Sequence, residues 1–354
     1  MKNTAKTALM FVLVILIFLS CNTKRSARYS SPEVTMLRNE SERKVDVMVG
    51  LDHFTSYCWP ENVYKPILYP LKTARGTEIT RGFPLDPREG ERNDHMHQVG
   101  IWLNYGKVNG LDFWGNGHRG VKESDGGEIK HLSIESMEEE NEEAVLLTRE
   151  SWIDPEGTEL LAEITEYHFI AIDSLRIIDR LTTLKAGSSP VYFDDTKEGM
   201  FGIRVARQLE LPSDDMVTVL GSDGKPLSQK VKAGDVATGN YRSSEGISGD
   251  DVWGTRAGWM NLYGSIADEK ISLVVCDHPA NQGYPTYWHA RGYGLFAANP
   301  LGWTDFTDGR EKLDFSLQSG EETTFRYRII ISSGVHLTDE EINKLAGEFA
   351  HRYK

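Results

Sequence analysis

Apolar and polar residues alternate over short stretches along most of this chain, and long helical periodicity is nearly absent. Runs rich in β-branched and aromatic residues recur between turn signals at 145–148, 164–170, 175–181, 271–276 and 323–331. Several of them alternate apolar with polar, which predicts strands with one face in a core. Stretches 160–170 and 175–185 flank Asp173-Ser174 and read as a hairpin. The acidic run Glu138–Glu143 reads as a solvated hairpin tip. Only the C-terminus departs from this pattern. Thr338-Asp339-Glu340-Glu341, followed by Ile342, Leu345 and Phe349, predicts an N-capped amphipathic helix.

One uninterrupted apolar run, Ala8 to Leu19, follows Lys2 and Lys6. It is too short for a permanent membrane span and reads as an export signal. It ends in Phe18-Leu19-Ser20-Cys21, which resembles a bacterial lipobox. The expected organisation is a lipoprotein signal over 1–21 with Cys21 lipidated, then a polar tether over 22–45. A single β domain over 46–354 follows. No internal repeat or strong linker interrupts it, so the expected fold is all-β: two large sheets packed face to face, with a short C-terminal helix.

The formal net charge of −14 disfavours nucleic acid and anionic membrane surfaces as partners. Loss of Lys2 and Lys6 with the signal makes it more negative. The expected location is the bacterial cell envelope, with the membrane touched through the lipid alone. After processing, Cys58 and Cys276 remain. They either pair or stay as buried thiols, and buried thiols fit better because two cysteines carry no framework.

Candidate chemistry falls in three clusters. The first is Asn93-Asp94-His95-Met96-His97-Gln98, continuing through Trp102 and Asn104 to Asp112 and Trp114. In an extended run His95 and His97 share one face, roughly 7 Å apart. That spacing suits a divalent metal or a polar ligand, and equally two hydrogen-bonded histidines in a buried strand. Asp94 would orient a histidine. Asp112 either joins the site or closes a turn with Gly110. The second cluster, Asp194 to Arg204, places Glu198 beside Lys197 and before Gly199, where it serves as a base, a metal ligand or half of an ion pair. The third, Cys276 to Gly294, holds His278 and Asn281 in a loop, then a strand in which Tyr287, His289 and Arg291 share a face opposite Trp288. His278 and Asn281 contact a ligand or tie down their loop.

Nucleotide-binding and common hydrolase motifs are absent: there is no Walker loop, Gly-x-Ser-x-Gly or His-Glu-x-x-His, and Gly115-Asn116-Gly117 is not a dinucleotide fingerprint. Further stretches resemble the bacterial PmoA-like (methane-oxygenase-like) family. They are Thr80-Arg81-Gly82-Phe83-Pro84, Asp94-His95-Met96-His97 with Gly100-Ile101-Trp102, Val108 to Trp114, and Lys197-Glu198-Gly199 with Gly202-Ile203-Arg204. The last two are His278-Pro279-Ala280-Asn281 and Pro285 to Pro300. The likeness covers roughly 60–332. The family pattern continues His-Arg-Gly where this chain has Gln98-Val99-Gly100. The resemblance implies an extracytoplasmic protein of sugar-using bacteria with a supersandwich of the galactose-mutarotase type, not methane oxidation.

The expected function is a carbohydrate-active hydrolase, lyase or epimerase. Glu198 would act as general base and His97 or His289 as general acid. His95 completes the imidazole set, and Arg291 holds an oxyanion or hydroxyls. Arg204, Asp94, Asn104, Asp112, His278 and Asn281 would contact the sugar, with Trp102, Trp114 and Trp288 stacking on rings. The alternative is a non-catalytic glycan-binding surface lipoprotein. In a metal-dependent variant, His95 and His97 hold the ion, completed by Glu198 or His289.

Overall fold

The computed structural model describes residues 32–115 and 126–354. Two eight-stranded antiparallel sheets dominate. The first runs, in spatial order, Val34–Asn39, Lys44–Val49, Asp52–Cys58, Ile67–Leu68, Ile101–Tyr105, Gly199–Arg204, Leu295–Asn299 and Tyr287–Ala290. The second runs Asn240–Ser243, Trp259–Ile266, Glu269–Asp277, Glu322–Ser333, Leu175–Ala186, Glu159–Ile172, Glu143–Ile153 and Glu128–Glu140. Aromatic contacts join their facing sides. Phe201 stacks on Tyr327 with ring centroids 4.8 Å apart, and Phe54 meets Phe169 edge-on at 6.5 Å. The expected two-sheet supersandwich is therefore present.

Local signals account for much of the second sheet. Glu143–Ile153 alternates between partly exposed and buried positions along its first half, as a strand with one wet face requires. The predicted hairpin is Glu159–Ile172 paired with Leu175–Ala186, and Asp173 takes a positive φ of 50° to turn the chain. The acidic run is the tip between Glu128–Glu140 and Glu143–Ile153. Two register shifts, at His131/Ser133 and Ile134/Ser136, bulge the outermost strand of that pair.

The C-terminal helix Asp339–Arg352 carries the capping box read from the sequence, with Thr338 and Glu341 satisfying each other's backbone amides. Its Ile342 and Phe349 pack against Ile170, Val274, Cys276 and Ile330, so it covers the outer face of the second sheet.

The N-terminal boundary needs correction. Val34–Asn39 pairs residue for residue with Lys44–Val49, and Val34, Met36 and Val45 lie in the core. The stretch read as a tether up to 45 therefore includes an edge strand: burying Val34 and Met36 outweighs the polarity of the residues around them. The export signal and Cys21 lie outside the described residues, as do Asn116 and Gly117. Among the described residues, no helix is long and apolar enough to cross a membrane. Cys58 and Cys276 are free thiols on separate sheets, and burial pushes both up to about 12.

Candidate active site

The outer face of the first sheet, turned away from the second, carries a cleft of about 640 Å³. The strands beneath it alternate. Ile101, Leu103, Phe201, Ile203, Phe296 and Trp288 point into the core, and Trp102, Gly202, Arg204, Ala297 and His289 take the other side. Gly202 is needed there, because a Cβ would meet the Trp102 ring at 2.5 Å. Gly106 plays the same part for Glu198, whose own Cβ would lie 2.8 Å from one placed on it.

All five residues expected to do chemistry line this cleft: His95, His97, Glu198, His289 and Arg291. The local structure around the first two differs from expectation. Asp94–Gln98 is a turn closed by the Gln98 amide donating to the His95 carbonyl at 2.9 Å, and His95 has a φ of 44°. The cause is remote in sequence. Arg81, 2% exposed, donates to the carbonyls of Asp94, His95 and Gln98 at 2.9–3.0 Å and to the Asp94 carboxylate at 2.8 Å. These bonds satisfy carbonyls that a strand would have paired with a neighbour. The imidazoles converge all the same, with ring centroids 5.7 Å apart.

Asp94 serves the scaffold below the cleft. Its carboxylate accepts from Arg81 and from the fully buried Arg204 at 2.7 Å, and His95 Nδ1 lies 3.4 Å away. Burial alone would push its pKa up, but the His95 hydrogen bond and the Arg204 and Arg81 charges hold it well below the usual carboxylate range. Arg204 also donates to Gln98 Oε1 at 2.5 Å. Above Arg204 sits Tyr293, 4.9 Å from guanidinium to ring centroid, and Tyr293 stacks on His95 at 5.0 Å with planes 4° apart.

Burial makes His289 a weak base. It is 2% exposed, and its pKa falls to about 4 through desolvation, with the nearby Arg291 charge adding to the effect. Its Nδ1 lies 2.8 Å from the Lys197 carbonyl. A carbonyl can only accept, so Nδ1 carries the proton and Nε2 keeps its lone pair. His97 falls to about 3, again through burial first and then the Lys65 charge. Lys65 is itself buried, donates to the His97 carbonyl at 2.7 Å and lies over the Trp102 ring; burial brings it down to about 7. Glu198 is about one-third exposed and pairs with Lys197 at 3.3 Å.

Several expected ligands do not reach the cleft. Trp102 is fully buried beneath Trp114, 5.3 Å between rings. Asn104 is also buried and donates to the Phe113 carbonyl at 2.5 Å. Trp288 lies in the core and donates to the Ala257 carbonyl. Arg204 is sealed under Tyr293. His278 and Asn281 belong to the helix-covered side: His278 meets Phe349 edge-on, and Asn281 bridges Asp277 and the Arg326 backbone. These placements follow from strand alternation and from the helix roof. Asp112 lines the cleft and also closes its turn, accepting from the amides of Trp114 and Gly115. Trp114 lines it while 3% exposed.

Sequence reasoning missed Arg81, Lys65, Gln98 and Tyr293. Arg81 and Tyr293 lay in stretches already singled out. Lys65 carried no signal, since its role comes wholly from burial.

The donor set does not fit a metal. Among the described residues, no three His, Cys, Asp or Glu side chains are grouped to hold an ion, whereas a catalytic zinc site takes about three protein ligands.

Residues 44–347 match DUF6807, described as a family of unknown function. This corrects the PmoA-like resemblance: the matched family is a different one, and no comparison points to PmoA-like proteins. No curated protein sequence matches. Among solved structures, the galactosidase domain of the alpha-galactosidase-sucrose kinase AgaSK is 11% identical, over 84% of this chain and 41% of that one, with a TM-score of 0.35. The chain thus spans about two fifths of it. A galactose mutarotase related enzyme from Lactobacillus acidophilus is 9% identical, over 87% and 99%, at 0.33. A Glycoside Hydrolase Family 97 enzyme from Pseudoalteromonas sp. strain K8 is 8% identical, over 84% and 34%, at 0.29. Likenesses this faint carry no argument about activity.

Proposed function

Because the chain belongs to DUF6807, a family of unknown function, we propose its function from the cleft itself: acid–base catalysis on a carbohydrate. The observation that carries the reading is one water-accessible cleft lined by Glu198, His289, His97, His95 and Arg291. Hydroxyl-rich ligands need such donors and acceptors at fixed positions. The stacked His95–Tyr293 pair supplies a rigid flat wall for a sugar ring, the part first assigned to Trp102 and Trp288.

The low imidazole pKa values set the direction of proton flow. His97 and His289 are neutral across the physiological range, so neither acts as a cationic acid there. His289 Nε2, with its tautomer fixed by the Lys197 carbonyl, takes a proton from the sugar. The imidazolium so formed returns that proton to the departing oxygen or to the ring carbon, while the Glu198 carboxylate, paired with Lys197, accepts from a substrate hydroxyl or water and stabilises positive charge as it develops. Arg291 and Lys197 stabilise negative charge that develops in between. His289 thereby takes the proton-accepting role first assigned to Glu198. It accommodates hydrolase, lyase and epimerase chemistry.

The test is Glu198→Gln and His289→Gln assayed on defined oligosaccharides by NMR. Each variant should lose about 10²- to 10⁴-fold in turnover with an unchanged melting temperature for Glu198→Gln. Wild-type binding without any product would support a binding module instead. Full activity in both variants would remove the catalytic roles.

The same proposal places the domain in the cell envelope, exported by 1–21 and anchored at Cys21. Its support is the apolar run ending at a lipobox-like cysteine. Cys21→Ser should move the protein from the membrane fraction to the soluble one; unchanged membrane retention would remove the anchor.

A further inference from the structure

The cleft does not stop at the His95–Tyr293 stack. Beyond it opens a second hollow of about 680 Å³, and His95, Arg291 and Tyr293 line both. Each lobe alone falls within the roughly 300–1,000 Å³ of small-molecule sites, so the pair offers more room than one sugar ring fills. The stacked rings stand between the lobes as a ridge.

The far lobe has its own aromatic wall. Trp253 is half-buried and braced by Phe306, 5.6 Å between rings. The Arg291 guanidinium lies 5.7 Å from the Trp253 ring and 5.8 Å from Tyr293, tying the far wall to the ridge. Its charges differ from those of the near lobe. Arg92 is taken up by Glu210 at 2.8 Å, and Asp94 by Arg81 and Arg204. Asp215, which accepts from the Ser213 hydroxyl, and Asp250 bring two further exposed carboxylates to this lobe, with Arg291 as its other cation. The near lobe instead carries Lys107, Lys197 and Arg291 against Glu198 and Asp112. Carboxylates accept from hydroxyl and amino groups and repel another carboxylate.

From this geometry we infer that the substrate is an oligosaccharide lying across the ridge. The reacting unit occupies the Glu198 lobe, and a neutral or amino sugar stacks on Trp253 in the far lobe. The inference rests on the carbohydrate reading above and adds substrate length and the charge of the second unit.

The experiment measures binding of the Glu198→Gln protein, which holds ligand without turnover, by calorimetry. The probes are matched mono-, di- and tetrasaccharides of neutral hexose, N-acetylhexosamine and uronate series. Affinity should rise about tenfold from one unit to two, the worth of one aromatic contact. Trp253→Ala should collapse the ratio of disaccharide to monosaccharide affinity. Asp250→Asn, an exposed change with little risk to folding, should lift the discrimination against a uronate as second unit. A length ratio of one in the parent, or one unaltered by Trp253→Ala, overturns the inference while leaving the carbohydrate reading standing. Binding of no saccharide at any length overturns both.

Discussion

The outer faces of both sheets carry polar side chains, yet one is roofed and the other open. Under the C-terminal helix, Asp179 and Arg328 form a bidentate pair at 2.6 and 2.7 Å, with Tyr353 adding a third bond. Arg328 also reaches the Leu345 carbonyl and lies against Phe349. The buried charges of Asp179 and Arg328 are matched to each other there. On the first sheet, the matched charges of Asp94, Arg81 and Arg204 lie one layer down. Above them, imidazoles and Glu198 border open volume. The difference teaches that polar density alone does not mark a site. What marks it is a polar set with ligand-sized space over it and a separate buried network holding it still.

The strongest test of this contrast sets Glu198→Gln against Arg328→Leu. The first should cut turnover by orders of magnitude at constant stability. The second strands Asp179 in the interior and should cost about 3–5 kcal/mol, seen as a lower urea midpoint, with activity per folded molecule preserved. Loss of turnover in Arg328→Leu without loss of stability would erase the distinction between the faces.

A second test uses acid. His289 has a folded pKa of about 4, below the ordinary 6.5. The folded state therefore favours the neutral ring. That contribution is fully present above pH 6.5 and is lost as pH falls towards 4. Its size is about 3 kcal/mol. His289→Gln should flatten the stability profile across this window. In the wild type, the acid limb of kcat/KM should lie near pH 4, because His289 acts unprotonated. A limb near 6.5 would show that the ring is not held neutral by burial.

The smallest expected effect is at the roof's edge. Thr338→Ala removes the helix cap and should cost about 1 kcal/mol in melting experiments without altering activity. A larger loss, or any change in turnover, would mean that the roof and the cleft are coupled.

How much of this could be read from the sequence followed the range of the interactions. The Asp173 hairpin, the acidic tip and the Thr338 capping box depend on residues a few positions apart, and all three were legible. So was the alternation that sends His289 and Trp288 to opposite faces. The His95 turn was not, because Arg81 and Arg204 hold it from other parts of the chain. His278 and His289 sat in one cluster along the chain, but a strand and a loop carry them to opposite sheets. The first strand, Val34–Asn39, was hidden because only two of its residues are strongly buried apolars. Trp102 read as a stacking platform, and nothing local says that Trp114 covers it.

The bulged strand Glu128–Glu140 has a consequence for life at high concentration. It is the last strand of its sheet, and an unpaired last strand invites neighbouring molecules to add their own. Two bulges and the glutamates at its end disrupt the regular backbone spacing and add repulsion between copies. Irregular spacing and like charge of this kind disfavour the addition of further strands along that edge.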